Sequence, residues 1–283
     1  MKVRQFFTSP LLTTTTLRWW IALLGYILYI ACILTPSIIL ASASSEAEVQ
    51  KLSQLIMPMQ FFAMFVLGVI VMRSVRGRQY KDADLGFITP TKKQLLYAAG
   101  TAVLFVALAS LATYLLPDLS EAGKKVSAQV GLGESMLRNI LVVMSAAIAA
   151  PLGEELIYRA MIFRGLHDEL RRRKTRLMRA VVFILPALVS AWLFATSHGG
   201  EGQDRQVLFL TLFGVMMAWL YWKTASIYVP VFAHSVTNAI NFFFMAMAAA
   251  RPVGILTYLF IISTPAITLA IVYGTHRLLF VKK

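Results

Sequence analysis

The sequence places five polar side chains capable of acid–base or hydrogen-bonding chemistry in or beside strongly apolar runs. They are Glu154, Glu155, His198, His234 and Asn238. Ionisable groups inside membrane-spanning segments are costly, and by default they indicate a functional site. Carboxylates and imidazoles can transfer protons or hold ions, whereas a carboxamide donates and accepts hydrogen bonds. Their spacing along the helices therefore decides which of them is available for chemistry.

Helical spacing separates the roles of the two adjacent glutamates. Glu155 and Arg159 are four residues apart with the acid on the N-terminal side, which is the favourable order for an ion pair. Glu154 lies about 100° around the helix from Glu155 and has no cation three or four residues away. We therefore predict a structural pair for Glu155 and Arg159, and a general base for Glu154. The alternative is that both glutamates pair with basic loop residues at the membrane surface.

The two histidines occur on helical faces that carry other distinctive side chains. Phe194 and His198 share a face at the end of an apolar run, where an interfacial role is the alternative for the histidine. His234, Asn238 and Asn241 form one polar stripe on a helix that is otherwise apolar. Interhelical hydrogen bonding could explain such a stripe, but three polar residues on one face favour a site. His167 and His276 lie in polar flanks and are assigned no role.

The composition indicates that these residues are positioned by membrane helices. Hydrophobic residues make up 58% of the chain and charged residues 14%, whereas soluble proteins average about 45–50% and about 25%. Apolar runs close to the roughly 20 residues that cross a bilayer predict spans at 19–40, 55–72, 95–116, 137–157, 180–197, 207–222, 227–248 and 255–273. We predict an all-α, multi-pass bundle of about eight helices, forming one integral membrane domain over residues 1–283 with the site in a cavity of the bundle.

The net charge of +14 is explained by loop topology. With the N-terminus inside, 21 basic residues fall in inner segments and 6 in outer ones. Because cytoplasmic loops are enriched in Lys and Arg, both termini are predicted to lie inside. Segment 159–179 is predicted to be a basic cytoplasmic-side segment, and its charged stretch His167–Arg179 is predicted to contact lipid head groups. No basic stripe has aromatics spaced to stack on bases, which argues against nucleic acid, and the single Cys32 excludes a disulfide framework.

Three motifs together resemble the CPBP family, which contains the CAAX prenyl endoproteases and the bacteriocin-processing proteins. The family pattern is EExxxR, then FxxxH, then HxxxN or HxxxD, on successive membrane helices. This chain has Glu154 to Arg159, then Phe194 to His198, then His234 to Asn238, in that order. The resemblance covers roughly residues 80–245, which we take as the catalytic core.

The resemblance implies hydrolysis of a peptide bond within the membrane. By position in the motifs, Glu154 and His198 would hold and activate the attacking water. His234 and Asn238 would stabilise the oxyanion, while Glu155 and Arg159 would support the site. The expected substrate is a membrane-associated or lipidated peptide or protein, the expected surroundings are membrane lipids, and the expected location is a bacterial plasma membrane.

Metal dependence is a separate prediction. The resemblance favours a glutamate-based site without a metal or other cofactor. The alternative is a catalytic Zn²⁺ held by Glu154, His198 and His234, a ligand set that suits this ion. No HExxH motif occurs in the chain, so the usual zincin geometry is absent.

Two other classes of function remain open. One is a catalytically inactive scaffold or immunity protein of the same fold, although the intact set of polar residues argues against it. The other is a proton- or ion-coupled transporter, since intramembrane acids and histidines also build ion pathways. The sequence shows no inverted repeat of the kind found in many transporters.

The predicted span boundaries create a difficulty of depth. Glu154 falls near the inner end of the fourth span and His198 near the outer end of the fifth, and a span of eighteen residues covers about 27 Å. The two can meet only if the fourth helix breaks or tilts, or if the fifth starts deep. Pro151 and Gly153 are suitable places for a break, and we predict that Glu154, His198, His234 and Asn238 converge on one water-accessible cavity.

Overall fold

The computed structural model describes residues 17–42, 44–76, 85–115, 132–172, 181–198, 204–249 and 252–279. Eight helices occupy these ranges, and no β-strand occurs in them. The helices are α1 Trp20–Ala41, α2 Glu46–Arg76, α3 Lys92–Leu115, α4 Met136–Arg172, α5 Ile184–Thr196, α6 Asp204–Thr224, α7 Tyr228–Met247 and α8 Ile255–Leu279. The predicted all-α bundle is therefore confirmed.

Seven of these eight helices are long and apolar enough to cross a membrane, which makes the chain a multi-pass integral membrane protein. The exception is α5, with 13 residues. Helix α3 exposes Leu104, Leu108 and Leu111 on its outer side, as expected of a lipid-facing helix that buries few of its residues. The exposed apolar faces thus lie outside the bundle and the polar candidates lie inside it.

Helix α4 is the central element, and its predicted end was wrong. The prediction ended this span at residue 157, but the helix continues to Arg172 over 37 residues, with 72% of its most apolar stretch buried. Helices α1, α2 and α5 pack against it. Because other helices surround α4, the charged side chains of Arg159 and Arg164 are buried in protein and do not mark a membrane surface. Glu154 is therefore midway along α4, and the depth difficulty disappears.

Helix α4 does not break at Pro151 and Gly153, and π-helical turns lie on both sides of this part of the helix. Two π-helical stretches, Ser145–Ala149 and Leu156–Phe163, flank the short α-helical stretch Ala150–Glu155. A π-helix bonds i to i+5, and such stretches are frequent at functional sites. Pro151 has no N–H to donate, so upstream carbonyls need other donors.

Polar side chains of neighbouring helices supply those donors. The Ala146 carbonyl accepts from Asn238 Nδ2 at 2.7 Å, and the Ala147 carbonyl accepts from Ser235 Oγ at 2.5 Å. At the second π-helical stretch the Tyr158 carbonyl accepts from Ser190 Oγ at 2.7 Å. Satisfying buried carbonyls in this way is required where water is absent.

Gly153 serves close packing instead of a break. A Cβ atom at this position would lie 2.6 Å from the Phe61 carbonyl oxygen and 2.9 Å from Met64 Cβ. Helix α2 therefore approaches α4 backbone to backbone at the level of the glutamates. Small residues allow such close approach of membrane helices, and here it fixes the wall on one side of the site.

The prediction for segment 159–179 needs correction as well. His167 and Asp168 are fully buried, so the start of the stretch predicted to contact lipid head groups packs against protein instead. Arg164 Nε lies 2.6 Å from Asp168 Oδ2, and the same oxygen accepts from the Leu17 backbone N–H at 2.8 Å. The end of α4 thus pairs its charges internally and holds the start of α1. Residues 173–179 of this segment lie outside the described ranges.

Candidate active site

Glu154 is the buried centre of a cluster of carboxylates and imidazoles, in which the His198 side chain is 35% exposed. The Glu154 side chain is 4% exposed, and Oε1 lies 3.4 Å from His198 Nε2. Oε2 lies 3.8 Å from His234 Nε2 and has no hydrogen-bond partner among the described residues. The structure therefore brings together the two histidines predicted from different helices, with an unsatisfied carboxylate oxygen between them.

Glu155 forms the ion pair with Arg159 that its spacing predicted, and it also contacts His234, which the spacing did not predict. Its Oε2 lies 3.1 Å from Arg159 Nε, with both side chains fully buried. Its Oε1 lies 2.8 Å from His234 Nδ1. Arg159 in turn donates from Nη2 to the Gly214 carbonyl at 3.3 Å. One glutamate thus links α4 to α7, and its arginine links α4 to α6.

The contacts of the two imidazoles determine which of their nitrogens face Glu154. His198 Nδ1 lies 2.8 Å from the Phe194 carbonyl, which can only accept, so this nitrogen carries the proton. His234 Nδ1 donates in the same way to the Glu155 carboxylate. Both Nε2 atoms therefore face Glu154. Lone pairs and a carboxylate repel one another, so the cluster favours a shared proton or a bridging water molecule.

Phe194 packs both histidines, which explains its place in the motif. Its ring centroid lies 4.6 Å from that of His198 and 5.9 Å from that of His234. The Arg159 guanidinium covers the same ring at 4.9 Å, a cation–π distance. The phenylalanine of the FxxxH motif, Phe194, therefore separates the two imidazole rings.

Asn238 lines the same cavity as Glu154, His198 and His234, as predicted. Its amide also donates to the Ala146 carbonyl in the first π-helical stretch. A carboxamide has two N–H donors, so the second is compatible with binding at the cavity. Asn238 thus supports helix α4 through this hydrogen bond, and its oxyanion role stays a prediction.

The cavity has a volume of about 550 Å³ and mostly apolar walls. Helices α2 to α7 all contribute to it. Its aromatic walls are Phe61, Phe105, Phe194, Phe209, Phe213 and Phe242. Among the described residues that line it, Glu154 is the one acid and Arg138 the one arginine. Such a cavity suits an apolar ligand with a few polar groups.

The metal alternative can be tested against the arrangement of the donors. Glu154, His198 and His234 have the right chemistry for zinc. However, no group of three or more His, Cys, Asp or Glu side chains among the described residues is arranged to hold a metal ion. We therefore assign no mechanistic step to a metal.

Two hydroxyl groups next to His198 were not apparent from the motifs. Ser197 Oγ donates to the Phe194 carbonyl at 2.6 Å and lies 3.0 Å from His198 Nδ1. The Tyr158 hydroxyl donates to Ser197 Oγ at 3.3 Å. Ser197 directly precedes the histidine in the sequence, but its contact with Tyr158 depends on how α4 and α5 pack. These groups hold the His198 ring from its Nδ1 side.

We expect Ser197→Ala to lower turnover about tenfold with little change in KM, because a loosened His198 ring would reduce general-base efficiency. The pH–rate profile should shift as well, since Ser197 contacts the nitrogen opposite the reacting one. The measurement is kcat and KM from pH 5 to pH 9. Thr196→Ala is the matched control, because that exposed hydroxyl bonds only within its own helix turn in the described structure. An unchanged profile would contradict this role.

The fold and the site are those of a multi-pass membrane protein with a candidate hydrolytic centre. Residues 136–240 match the family described as type II CAAX prenyl endopeptidase Rce1-like. This stretch contains all three motifs, and the match supports the predicted CPBP family. The chain is also 32% identical over 98 residues to "Putative membrane peptidase YdiL" of Bacillus subtilis (strain 168), covering 35% of this chain and 34% of that relative. These matches support a membrane endopeptidase, and no solved structure matches the chain.

Proposed function

We propose that the protein is an intramembrane endopeptidase that hydrolyses a peptide bond of a membrane-associated or lipidated peptide or protein. The carrying observation is the buried Glu154 carboxylate, which meets the Nε2 atoms of two histidines in an apolar cavity. A carboxylate beside an imidazole can take a proton from water, and the apolar walls strengthen every charge interaction inside.

The mechanism begins with a water molecule bound between Glu154 and His198. As the water oxygen attacks the scissile carbonyl carbon, Glu154 accepts its proton. The resulting oxyanion is stabilised by hydrogen bonds from Asn238 and His234, and Glu155 orients the His234 ring through its contact with Nδ1 at 2.8 Å. Collapse of the tetrahedral intermediate breaks the C–N bond, and the proton held by Glu154 and His198 passes to the leaving amine.

The supporting residues explain why such a cluster can exist in a membrane. Glu155 is neutralised by Arg159, so its charge does not add to that of Glu154. Arg159 is itself anchored on the Gly214 carbonyl and on Phe194. A charge removed from water needs both a counter-ion and further hydrogen bonds. Arg159 has Glu155 as its counter-ion and a hydrogen bond to the Gly214 carbonyl, while its Nε and Nη1 atoms have no hydrogen-bond partner among the described residues.

The substrate can be found by comparing new peptide N-termini in membranes of a bacterial host that expresses the chain with those of the host alone. A peptide spanning the most frequent cut is then offered to the purified protein in lipid nanodiscs. We expect cleavage to survive exhaustive treatment with a zinc chelator, because the proposed base is Glu154. Loss of cleavage that added Zn²⁺ restores would contradict the metal-free mechanism and favour zinc held by Glu154, His198 and His234.

The alternatives of a scaffold or a transporter predict no peptide products in this experiment. A scaffold or immunity protein would keep its cellular effect without cleavage. A proton- or ion-coupled transporter would instead move charge across sealed vesicles. The proposed partners are membrane lipids and the peptide substrate, and the proposed location is a bacterial plasma membrane.

A further inference from the structure

The helix ends at one face of the bundle pack tightly on one another, and we call this face the packed face. The Leu17 N–H, just before α1, donates to Asp168 near the end of α4 at 2.8 Å. The Gly86 carbonyl, before α3, accepts from the Ile227 N–H, before α7, at 2.9 Å. A Cβ atom on Gly86 would lie 2.5 Å from the Tyr221 hydroxyl near the end of α6. The packed face thus joins the starts of α1, α3 and α7 to the ends of α4 and α6.

The last helix ends at the packed face as well. The ring of Tyr228, the first residue of α7, lies 5.7 Å from the ring of His276 near the end of α8, measured between centroids. Leu17, just before α1, has its contact at the same face. The start of α1 and the end of α8 therefore lie on one side of the bundle.

The catalytic cavity extends from Glu154 toward the opposite helix ends, which we call the open face. Its lining includes Arg138 and Leu141 at the start of α4 and Met245 at the end of α7. Every residue of α4 from 147 to 165 is buried, whereas Arg138, Leu141 and Val142 are partly exposed. The cavity therefore becomes more exposed toward the open face, while protein fills the bundle between Glu154 and the packed face.

The short helix α5 explains why space remains above the histidines. Phe183, directly before α5, packs on Trp222 at the end of α6 with a centroid distance of 5.0 Å, so α5 starts near the packed face. Its 13 residues span about 20 Å, and the hydrocarbon core of a bilayer is roughly 30 Å thick. Helix α5 therefore ends inside the membrane, where the His198 side chain is 35% exposed and those of Glu154 and His234 are 4% exposed.

The two faces also differ in charge. The helix ends at the packed face carry the exposed basic residues Arg18, Arg73, Lys92, Lys93 and Arg277. At the open face Arg138 is paired with Glu134, and α2 and α6 begin at the acidic residues Glu46 and Asp204. Because basic residues collect on the cytoplasmic side of membrane proteins, the packed face is assigned to the cytoplasm.

We infer that the cavity is entered from the extracytoplasmic side of the membrane, so that the substrate is a membrane-associated polypeptide whose cleaved segment has already been translocated. The class of reaction that supplies this substrate is therefore translocation of a polypeptide across the membrane. A segment that stays in the cytoplasm would meet the packed face, where the Arg164 and Asp168 side chains fill the end of the bundle at 2.6 Å from each other. The substrate class rests on the proposed function, whereas the side of entry rests on packing and charge alone.

Thiol labelling tests the side of entry without any catalysis. Cys32→Ser removes the one native cysteine, and single cysteines are then placed as Met245→Cys in the cavity, Glu134→Cys at the open face and Arg277→Cys at the packed face. A sulfonated maleimide is added to right-side-out and to inverted vesicles of a bacterial host that expresses each variant. We expect Met245→Cys and Glu134→Cys to react at least about tenfold faster in right-side-out vesicles, and Arg277→Cys in inverted ones, because hydrocarbon excludes the charged reagent.

Two labelling results would overturn the inference. One is faster reaction of Met245→Cys or Glu134→Cys in inverted vesicles, which would place the open face in the cytoplasm. The other is a Met245→Cys thiol that reacts in neither orientation while Glu134→Cys reacts in right-side-out vesicles, which would show that the cavity is closed at the open face.

Cleavage is measured separately in vesicles that contain the chain without substitutions. The peptide spanning the most frequent cut is extended with a charged tail, so that it cannot cross the bilayer, and is added outside the vesicles. We expect products in right-side-out vesicles. Products in inverted vesicles alone would overturn the inference while leaving the peptidase standing. Labelling of Met245→Cys from the outer side with no cleavage of any peptide would support the side of entry and count against the proposed function alone.

Discussion

Glu154→Gln is expected to abolish peptide cleavage, with a loss of about a thousandfold or more in kcat and little change in KM. General acid–base groups contribute typically about 10²–10⁴-fold, and Glu154 also holds the attacking water in the proposed mechanism. The carboxamide has nearly the same size but is not a base at neutral pH. The measurement is the initial rate of peptide hydrolysis in nanodiscs, with the thermal unfolding midpoint recorded for the same sample.

Glu169→Gln is the matched control for this experiment. It lies on the same helix, its side chain is 26% exposed, and it pairs with Arg172 at 3.2 Å. We expect it to keep the rate of the unmodified chain within a factor of two. If Glu154→Gln cleaved as fast as this control, the protease mechanism would be wrong. If it lost ion flux in vesicles instead, the transporter class would be favoured.

Arg159→Met is expected to destabilise the folded protein by about 3–5 kcal/mol, because it leaves the Glu155 charge buried without its partner. Both side chains are fully buried and their polar atoms lie 3.1 Å apart. The measurement is the free energy of unfolding from denaturant titration in mixed micelles. By comparison, Glu169→Gln removes a partly exposed pair and should cost no more than about 1 kcal/mol.

The double variant Glu155→Met with Arg159→Met separates stability from activity. Replacing both members of a buried ion pair by apolar residues of similar volume is often neutral or stabilising, so most of the lost stability should return. Activity should not return, because His234 Nδ1 has lost the carboxylate at 2.8 Å that orients it. Recovery of cleavage in the double variant would show that Glu155 does not act through His234.

The sequence was sufficient for those features that depend on spacing within one helix. The pair of Glu155 with Arg159 follows from four-residue spacing, and the availability of Glu154 follows from its different face. The stripe on α7 identified three residues that line the cavity, of which Asn241 is exposed. The long apolar runs predicted the helices, because a backbone in lipid must satisfy its own hydrogen bonds.

Features that depend on packing between helices could not be obtained in this way. Arg159 and Arg164 ended the predicted fourth span because a charge usually marks the membrane surface, whereas here each has a buried acid on its own helix. The tie between Tyr158 and Ser197 joins residues 39 positions apart, at the contact of α4 and α5. The carbonyl groups of the π-helical stretches accept hydrogen bonds from side chains of α5, α7 and α8. The sequence of α4 alone does not predict these contacts.

The two π-helical stretches also give α4 a tolerance for changes in length that a regular helix lacks. A π-helical turn holds one residue more than an α-helical turn, and deleting one residue from a regular helix rotates all that follows by about 100°. Loss of one residue from Ser145–Ala149 would convert that stretch to a regular α-helical turn, so that the helix shortens while Glu154 keeps facing the histidines. The two glutamates therefore lie on a short segment whose rotation about the helix axis does not depend on the length of the rest of α4. A relative that has gained or lost a residue in either π-helical stretch would keep the same site.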